Sequence, residues 1–320
     1  MTEVTDILVI GAGAAGLMCG IESGRRGRKV LVIDHADKPA EKIRISGGGR
    51  CNFTNRDASP KQFLSQNPHF CVSALKRFTA RDFIARVDAR GIAWHEKTLG
   101  QLFCDGSAKQ IIDMLLDDLS AAGGELRLGV EPGAVTKTAD GYEVETTGGA
   151  IKCSSLVIAT GGKSIPKMGS TGYAYEVAEA FELKIVEPRP ALVPFTISSP
   201  AIEPIAELAG LSVEARVSCG KISFDEGMLF THRGLSGPSI LQISSYWREG
   251  DEVVIDLARG RDVFAELKLR RKDQPRLQLD NALAAIVPKR LADQIAARTF
   301  AISRLADLSD VKLRAVADAV

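Results

Sequence analysis

The chain lacks an excess of charge of either sign. It contains 41 lysine and arginine residues against 40 aspartate and glutamate residues, a net charge of +1 at pH 7. A balanced chain has no overall attraction for nucleic acid or for anionic lipid, because both favour a surplus of positive charge. Binding of either partner would need a local basic patch, so the composition predicts no nucleic-acid partner and no membrane partner.

Metal-binding, disulfide and membrane-spanning patterns are also absent. The six cysteines form no Cys-x-x-Cys pair and no zinc-ribbon spacing, which predicts reduced thiols and no metal site. The uncharged stretch at residues 7–21 is shorter than the roughly 20 residues that span a bilayer. Acidic rather than basic residues precede it, unlike a signal peptide. These absences predict a cytoplasmic protein.

The length of 320 residues, with 45% hydrophobic and 25% charged residues, is typical of a folded protein of about two domains. Prolines cluster at residues 188–194, where strands cannot easily continue. We predict a boundary there, with domains at residues 1–189 and 190–320. The second domain is predicted to be β-rich over about 190–260 and helical over about 261–320.

The first domain begins with a strand, a glycine-rich turn, a helix and a second strand. Apolar runs at residues 6–10 and 29–33 are typical of buried parallel strands. The motif Gly11-x-Gly13-x-x-Gly16 lies between them, and Asp34 ends the second strand. Such a turn holds a pyrophosphate at the start of a helix, and the acid binds ribose hydroxyls. This order predicts a Rossmann-like α/β domain with a dinucleotide site.

Two further features favour FAD over NAD. The apolar strand at residues 155–159 runs into Ala159-Thr160-Gly161, an ending that recurs near the cofactor in FAD domains of the glutathione-reductase-like group. No second Gly-x-Gly-x-x-Gly follows the first, and the Cys-x4-Cys pair of disulfide reductases is absent. The sequence predicts a flavoprotein in which NAD(P)H, as reductant, binds only transiently.

A second glycine cluster is more specific. Residues 45–55 read Ile-Ser-Gly-Gly-Gly-Arg-Cys-Asn-Phe-Thr-Asn, and such a run calls for a ligand or for close approach of backbone. It resembles the signature of the BaiN/RdsA family of aminoacetone-oxidase-like flavoproteins, and residues 159–172 and 230–244 agree with that family. The resemblance covers essentially the whole chain. It implies a Rossmann-like FAD domain interrupted by an inserted domain, and reactions from amine oxidation to enone reduction.

The resemblance also implies which residues contact FAD. Pyrophosphate and ribose contacts fall on Gly11, Gly13, Ala14, Ala15, Gly16 and Asp34. Contacts near the ribityl chain and the flavin fall on Lys42, Ser46, Gly47, Gly48, Arg50, Cys51, Asn52 and Thr54. A third loop near the cofactor consists of Ala159, Thr160 and Gly161.

The chain departs from the family pattern in two places. Tyr173 and Ala174 stand where members often have Asp-Gly, which puts local contacts there in question. Members also continue beyond the point where this chain stops, with a segment that completes the FAD domain and lies against the flavin. The resemblance therefore implies an incomplete FAD domain and weak FAD binding until that segment is restored.

Arg50 and His232 are the candidate catalytic residues. Arg50 is suited to stabilise negative charge on reduced flavin or on a substrate carbonyl, or instead to bind a phosphate. His232 is the acid–base candidate, with a structural role as the alternative. Cys51 is expected to be a packing residue beside the cofactor rather than a redox thiol.

The favoured function is hydride transfer between FAD and a small organic substrate. The basic stretch at residues 259–276 is interpreted as a solvated helix face rather than a nucleic-acid site. An FAD-dependent tRNA-modifying enzyme and a non-catalytic flavin-binding fragment are the alternative functions.

Overall fold

The computed structural model describes residues 2–165, 169, 171–198, 200–300 and 303–320. The chain divides into two compact units, Met1–Pro188 and Arg189–Val320, each with its own hydrophobic core. This division falls one residue before the predicted boundary. Ser170, part of the stretch that matches the family at residues 159–172, lies outside the described residues.

The first unit combines strands and helices in alternation. Its strands are β1 (Glu3–Ile10), β2 (Val30–Ile33), β3 (Asn52–Asn55), β4 (Trp94–Glu96), β5 (Gln101–Cys104), β6 (Glu125–Arg127), β7 (Pro132–Thr138), β8 (Gly141–Thr146) and β9 (Ile151–Ile158). Its helices are α1 (Ala14–Gly24), α2 (Glu41–Ile45), α3 (Val72–Arg77), α4 (Ala80–Ala89), α5 (Ala108–Ala121) and α6 (Tyr173–Ala180).

The main sheet of this unit has the strand order β6-β2-β1-β9-β8-β7. The strands β6, β2, β1 and β9 are parallel, with Ile7 opposite Val30 and Leu8 opposite Leu156, whereas β8 and β7 are antiparallel. Helices α1 and α5 pack on one face of β1 and β2, and apolar residues of β7, β8 and β9 together with Tyr173 pack with the other face. Both faces are buried, which explains why β1 and β2 are almost continuously apolar. The predicted Rossmann-like α/β fold is confirmed.

Helices α1 and α5 pack together beside the sheet. A Cβ on Gly20 would lie 2.8 Å from Leu119 Cδ1, so this glycine allows the two helices to approach closely. The start of α5 is fixed by Ser107, whose hydroxyl accepts a hydrogen bond from Lys109 N, while the Gln110 side chain returns to Ser107 N. These two hydrogen bonds form a capping box, and the spacing of Ser107 and Gln110 in the sequence is typical of one.

A small antiparallel sheet of order β3-β5-β4 is not predicted by the sequence analysis. Asn52 pairs with Phe103, and Trp94 pairs with Cys104. These strands have only three or four residues, too few for alternating hydrophobicity to identify them. The second glycine cluster forms a tight turn at Ser46–Gly49, in which Gly47 and Gly48 have left-handed backbones, and leads into β3.

The second unit contains an antiparallel sheet followed by helices. Its strands, in the sheet order β10-β13-β12-β11-β14, are β10 (Phe195–Thr196), β11 (Ser212–Cys219), β12 (Ile222–Thr231), β13 (Gly234–Ser236) and β14 (Val254–Asp256). Its helices are α7 (Glu203–Ala206), α8 (Pro238–Ser244), α9 (Val263–Asp273), α10 (Leu279–Leu283), α11 (Lys289–Thr299) and α12 (Asp310–Asp318). Among the described residues of either unit, no helix is long and apolar enough to cross a membrane.

Candidate cofactor site

A cavity of about 510 Å³ lies where β1, β2 and β9 end in the first unit. Parallel strands present their carboxyl ends at one edge, and ligands of open α/β sheets bind there. Nine of the predicted cofactor-binding residues line it: Gly11, Gly13, Ala14, Ala15, Asp34, Lys42, Ala159, Thr160 and Gly161.

The three glycines of the first turn have different roles. A Cβ on Gly11, whose φ is +110°, would lie 2.5 Å from Ala159 O, and a Cβ on Gly16 would lie 1.8 Å from Gly11 O. Both glycines are therefore required by the backbone itself. A Cβ on Gly13 would meet no atom within 4 Å, so this position leaves free space. Gly13 also precedes α1 without a side-chain cap, which leaves first-turn N–H groups for an anion.

Asp34 is fixed at the end of β2 by backbone donors. Its Oδ2 accepts a hydrogen bond from Ala12 N at 2.7 Å, and its Oδ1 accepts one from Ala36 N at 2.9 Å. The side chain is 16% exposed and lines the cavity. Each carboxylate oxygen keeps a lone pair, so the carboxylate is oriented and still able to accept from a ribose hydroxyl.

The loop after β9 carries an unsatisfied polar group. The Thr160 hydroxyl oxygen is buried and has no hydrogen-bond partner in the described part of the chain. Nearby, Lys42 Nζ lies 3.4 Å from where a Gly161 Cβ would stand, and this ammonium group has no ion pair with any described residue. A buried hydroxyl without a partner costs free energy that a polar ligand would recover. These residues therefore fit a phosphate-containing cofactor.

The far wall of the cavity includes residues that the sequence analysis did not assign, among them His35, Lys38, Glu131, Pro132, Thr171, Tyr173 and Glu176. The Tyr173 hydroxyl donates to Gly133 O at 3.0 Å. Burial raises the pKa of Tyr173 to about 12, and the Glu176 carboxylate adds to the effect, so the phenol is neutral at physiological pH. The sequence analysis noted Tyr173 only as a departure from the family pattern and did not assign it to the cavity.

The second glycine cluster lies outside this cavity wall. A Cβ on Gly47 would lie 2.6 Å from Phe103 Cε1, so this glycine packs against β5, whereas Gly48 faces open space. The Ser46 hydroxyl donates to Ile43 O at 2.8 Å. Asn52 and Thr54 lie in β3. Gly16 also does not line the cavity, because it is buried beneath the first turn. The cofactor contacts predicted for Ser46, Gly47, Gly48, Arg50, Cys51, Asn52 and Thr54 stay predictions.

Cys51 is buried and has a left-handed backbone, with φ +52°. Burial raises the pKa of the Cys51 thiol, although a hydrogen bond with Ser46 opposes the shift. Burial also raises the pKa of Cys104 to about 11, with a further contribution from Cys51. Both thiols are therefore protonated near neutral pH and are poor nucleophiles. This protonation state supports a packing role for Cys51.

The two candidate catalytic residues do not line the cavity. The Arg50 side chain is exposed, and its carbonyl oxygen accepts a hydrogen bond from Cys104 N at 2.9 Å. His232 is exposed in the second unit, at the turn between β12 and β13. The Thr231 hydroxyl stabilises this turn by donating a hydrogen bond to Gly234 O at 2.9 Å. Their catalytic roles stay predictions. Across the described ranges, no group of three or more His, Cys, Asp or Glu side chains is placed to hold a metal ion.

Comparison with known proteins identifies the family. Residues 5–285 match the family described as HI0933-like protein Rossmann domain. The chain belongs to this family. Its members are FAD-dependent oxidoreductases of the BaiN/RdsA type, so the predicted family, FAD-binding Rossmann fold and enzyme class are confirmed.

Three relatives show how far the similarity extends. Ribosomal RNA dihydrouridine synthase of Escherichia coli K12 is 47% identical over 314 residues, which cover 98% of this chain and 76% of that protein. The protein of the same name from Haemophilus influenzae is 40% identical, over 92% of this chain and 74% of that protein. The 3-dehydro-bile acid delta(4,6)-reductase of Clostridium scindens is 26% identical, over 76% of this chain and 60% of that protein.

The expectation of no nucleic-acid partner is wrong. Two relatives that align with more than nine-tenths of this chain are named for an RNA substrate. The expectation rested on the net charge of the whole chain. Net charge averages over the entire surface, so it does not exclude a local basic region that attracts RNA.

Proposed function

We propose that this protein reduces the C5=C6 double bond of a uridine in ribosomal RNA, with FAD as its redox cofactor. The observation that carries the proposal is the 47% identity over 98% of the chain with a ribosomal RNA dihydrouridine synthase. The second relative of that name supports it.

The chemistry of this reaction agrees with the predicted enone reduction. In uracil the C5=C6 bond is conjugated with the C4 carbonyl, so the ring contains an α,β-unsaturated carbonyl group. Reduction adds a hydride at C6 and a proton at C5. The hydride carries both electrons and one hydrogen, and the proton supplies the second hydrogen. NAD(P)H is the proposed source of the hydride, and it would bind transiently because the sequence contains no second dinucleotide motif.

The cavity supports binding of the adenosine diphosphate part of FAD. Asp34 would accept hydrogen bonds from the ribose, and the first-turn N–H groups of α1 would bind the pyrophosphate. Lys42 would neutralise phosphate charge, and the Thr160 hydroxyl would gain a polar partner. Bound FAD, once reduced by NAD(P)H, would pass the hydride on to the uracil.

The protein's own groups are proposed to stabilise charge and to move a proton. Arg50 would donate to the uracil carbonyl oxygen, where negative charge develops as the C6–H bond forms. His232 stays a separate candidate for proton transfer, argued from its residue type alone.

The test is the formation of dihydrouridine in ribosomal RNA. RNA from an E. coli strain that lacks its own ribosomal RNA dihydrouridine synthase would be incubated with the protein, FAD and NADPH, then digested for mass spectrometry. We expect one uridine to gain the mass of two hydrogens. The variant His232→Gln should abolish this product while NADPH still bleaches the flavin absorbance. Absence of dihydrouridine with the FAD-loaded wild-type protein would overturn the proposal.

Reduction of a small enone is the second candidate, favoured by the C. scindens relative, which is named as a reductase of a 3-dehydro-bile acid. The same protein preparation would be given a steroid dienone and NADPH without RNA. Turnover of the dienone, with no change in the RNA, would favour this candidate. Flavin binding without turnover of either substrate would favour a non-catalytic flavin protein.

A further inference from the structure

The exposed aromatic residues of the described chain are confined to one segment of the first unit, residues 58–81. Phe63, Phe70 and Phe78 are 49%, 80% and 42% exposed. Every other phenylalanine, tyrosine and tryptophan lies among the described residues and is buried or half-buried. Three exposed phenylalanines within one short segment point to an interaction surface rather than a solvated one.

The same segment is strongly basic. It contains Lys61, Lys76, Arg77 and Arg81 and no aspartate or glutamate, which gives a local charge of +4 in a chain of net charge +1. All four side chains are exposed, and no described residue forms an ion pair or a hydrogen bond with them. Their charges are therefore available to an anionic partner.

Contacts with the rest of the unit fix both ends of the segment. Before it, Arg56 forms an ion pair with Glu96 of β4 at 2.8 Å. At its other end, the rings of Phe78 and Phe83 pack with centroids 6.4 Å apart. Within it, the side-chain oxygen of Asn67 accepts a hydrogen bond from His69 N at 3.1 Å. The segment therefore presents its phenylalanines from an ordered backbone.

The basic stretch at residues 259–276 is different. Lys268 and Arg271 of α9 both pair with Asp310, and Arg261 pairs with Glu266. Much of its positive charge is thus neutralised within the protein, and it has no exposed aromatic side chain.

We propose that residues 58–81 bind an unpaired segment of ribosomal RNA. Bases stack on Phe63 and Phe70, and phosphates are held by Lys76, Arg77 and Arg81. Basic side chains interleaved with exposed aromatic rings are the combination that binds single-stranded nucleic acid. The inference rests on the proposed function and deepens it, because it names the surface that recognises the RNA.

RNA fits this surface better than a membrane. An interfacial membrane anchor needs an amphipathic helix with one apolar face, whereas the helix here, α3, has only six residues. The phenylalanines are instead spread over turns, among side chains such as Gln62, Gln66 and Asn67 that can hydrogen-bond to base edges.

The test is RNA binding by the FAD-loaded protein, measured by fluorescence anisotropy with a labelled, unstructured oligoribonucleotide over a series of KCl concentrations. We expect Lys76→Glu/Arg77→Glu to weaken binding at least about tenfold and to reduce the slope of log affinity against log salt by roughly 1.4. Phe70→Ala should weaken binding roughly fivefold or more. The matched control Lys272→Glu/Arg276→Glu makes the same charge change at exposed residues near the end of α9 and should stay within about twofold of wild type.

Flavin absorbance and the thermal midpoint confirm that each variant is folded. Equal RNA affinity in wild type and segment variants, or an equal loss in the α9 control, would overturn the proposal. It would also be overturned if the wild type bound phosphatidylglycerol vesicles but not RNA. A fourth contradictory result is that Phe70→Ala changes only the oligomeric state in light scattering.

Dihydrouridine formation separates this proposal from the proposed function. If the wild type modifies ribosomal RNA, Lys76→Glu/Arg77→Glu should raise the KM for RNA and leave kcat unchanged. An unchanged KM would overturn the segment proposal alone. Segment-dependent RNA binding without any dihydrouridine would support the RNA surface and overturn the proposed function.

Discussion

Two glycine clusters of the first unit, residues 11–16 and residues 46–49, look alike in sequence and differ in structure. In the first, Gly11 and Gly16 are required because backbone atoms lie 2.5 Å and 1.8 Å from where a Cβ would be. In the second, Gly48 and Gly49 face open space and are favoured only by their φ angles of +67° and +86°. The first cluster is the wall of a cavity, and the second is a turn that leads into β3.

This difference shows that glycine content alone does not identify a cofactor contact. The first cluster lines a cavity because β1, α1 and β9 converge on it at the edge of a parallel sheet. The second is placed by a small antiparallel sheet, and its contact with the cofactor stays a prediction. Substitutions within the two clusters should therefore have effects of different kinds and sizes.

The largest effect on stability is expected from Gly16→Ala. The new methyl group would lie 1.8 Å from Gly11 O, a backbone atom that cannot move without displacing β1 from α1. We expect the free energy of unfolding of the cofactor-free protein to fall by about 3 kcal/mol or more, measured by urea denaturation. The control Gly13→Ala, at a position with no atom within 4 Å, should cost about 1 kcal/mol or less. Equal losses in both would contradict the account of this turn.

The largest effect on cofactor binding is expected from Gly13→Val. The side chain would enter the free space at the start of α1, where a Cβ meets no protein atom within 4 Å and the pyrophosphate is proposed to bind. FAD affinity should fall by about a hundredfold or more, which corresponds to about 2.7 kcal/mol. Titration of FAD, followed by flavin fluorescence, measures this change. A variant that keeps FAD at wild-type affinity would show that the cofactor is placed wrongly.

A smaller effect with a distinctive sign is expected from Thr160→Val. The buried hydroxyl has no partner within the described residues, so its removal should leave the unfolding free energy of the cofactor-free protein unchanged or higher. FAD affinity should nevertheless fall roughly tenfold, because the ligand loses a hydrogen bond. Urea denaturation and FAD titration on the same preparation measure both quantities. Lower stability without a change in FAD affinity would mean that the hydroxyl serves the fold instead.

The smallest effect is expected from Gly48→Ala. A methyl group there meets no atom, and only the left-handed backbone resists it, so unfolding should become easier by about 1 kcal/mol. FAD affinity should fall much less than in Gly13→Val, because the turn lies outside the cavity wall. Gly47→Ala, which faces Phe103, is the comparison and should be more destabilising. A loss of FAD as large as that of Gly13→Val would remove the distinction between the clusters.

The sequence predicted the parts of the structure that have local signals. The parallel strands, the first turn and Asp34 follow from apolar runs and motif spacing, and the capping box at Ser107 follows from residue type. The three-stranded sheet was missed because its strands are too short for a period to be recognised. Tyr173 enters the cavity from a distant part of the chain, and such a contact has no local signal.

The sequence analysis did not predict the proposed RNA partner, for another reason. A whole-chain charge of +1 concealed the segment at residues 58–81, in which four basic side chains stand without an acidic one. Counting charge in short windows together with aromatic residues would have identified the segment. Only the structure shows that Phe63 and Phe70 are exposed, because phenylalanine in a sequence is ordinarily expected to be buried.

The central claim is that the cavity at the ends of β1, β2 and β9 holds the adenosine diphosphate part of FAD. Displacement of bound FAD by ADP and by FMN, followed by flavin fluorescence, tests it most directly. FMN has the flavin but lacks the adenosine that Asp34 and the first turn are proposed to bind. We predict that ADP displaces FAD competitively and that FMN at the same concentration does not. Displacement by FMN but not by ADP would contradict the account.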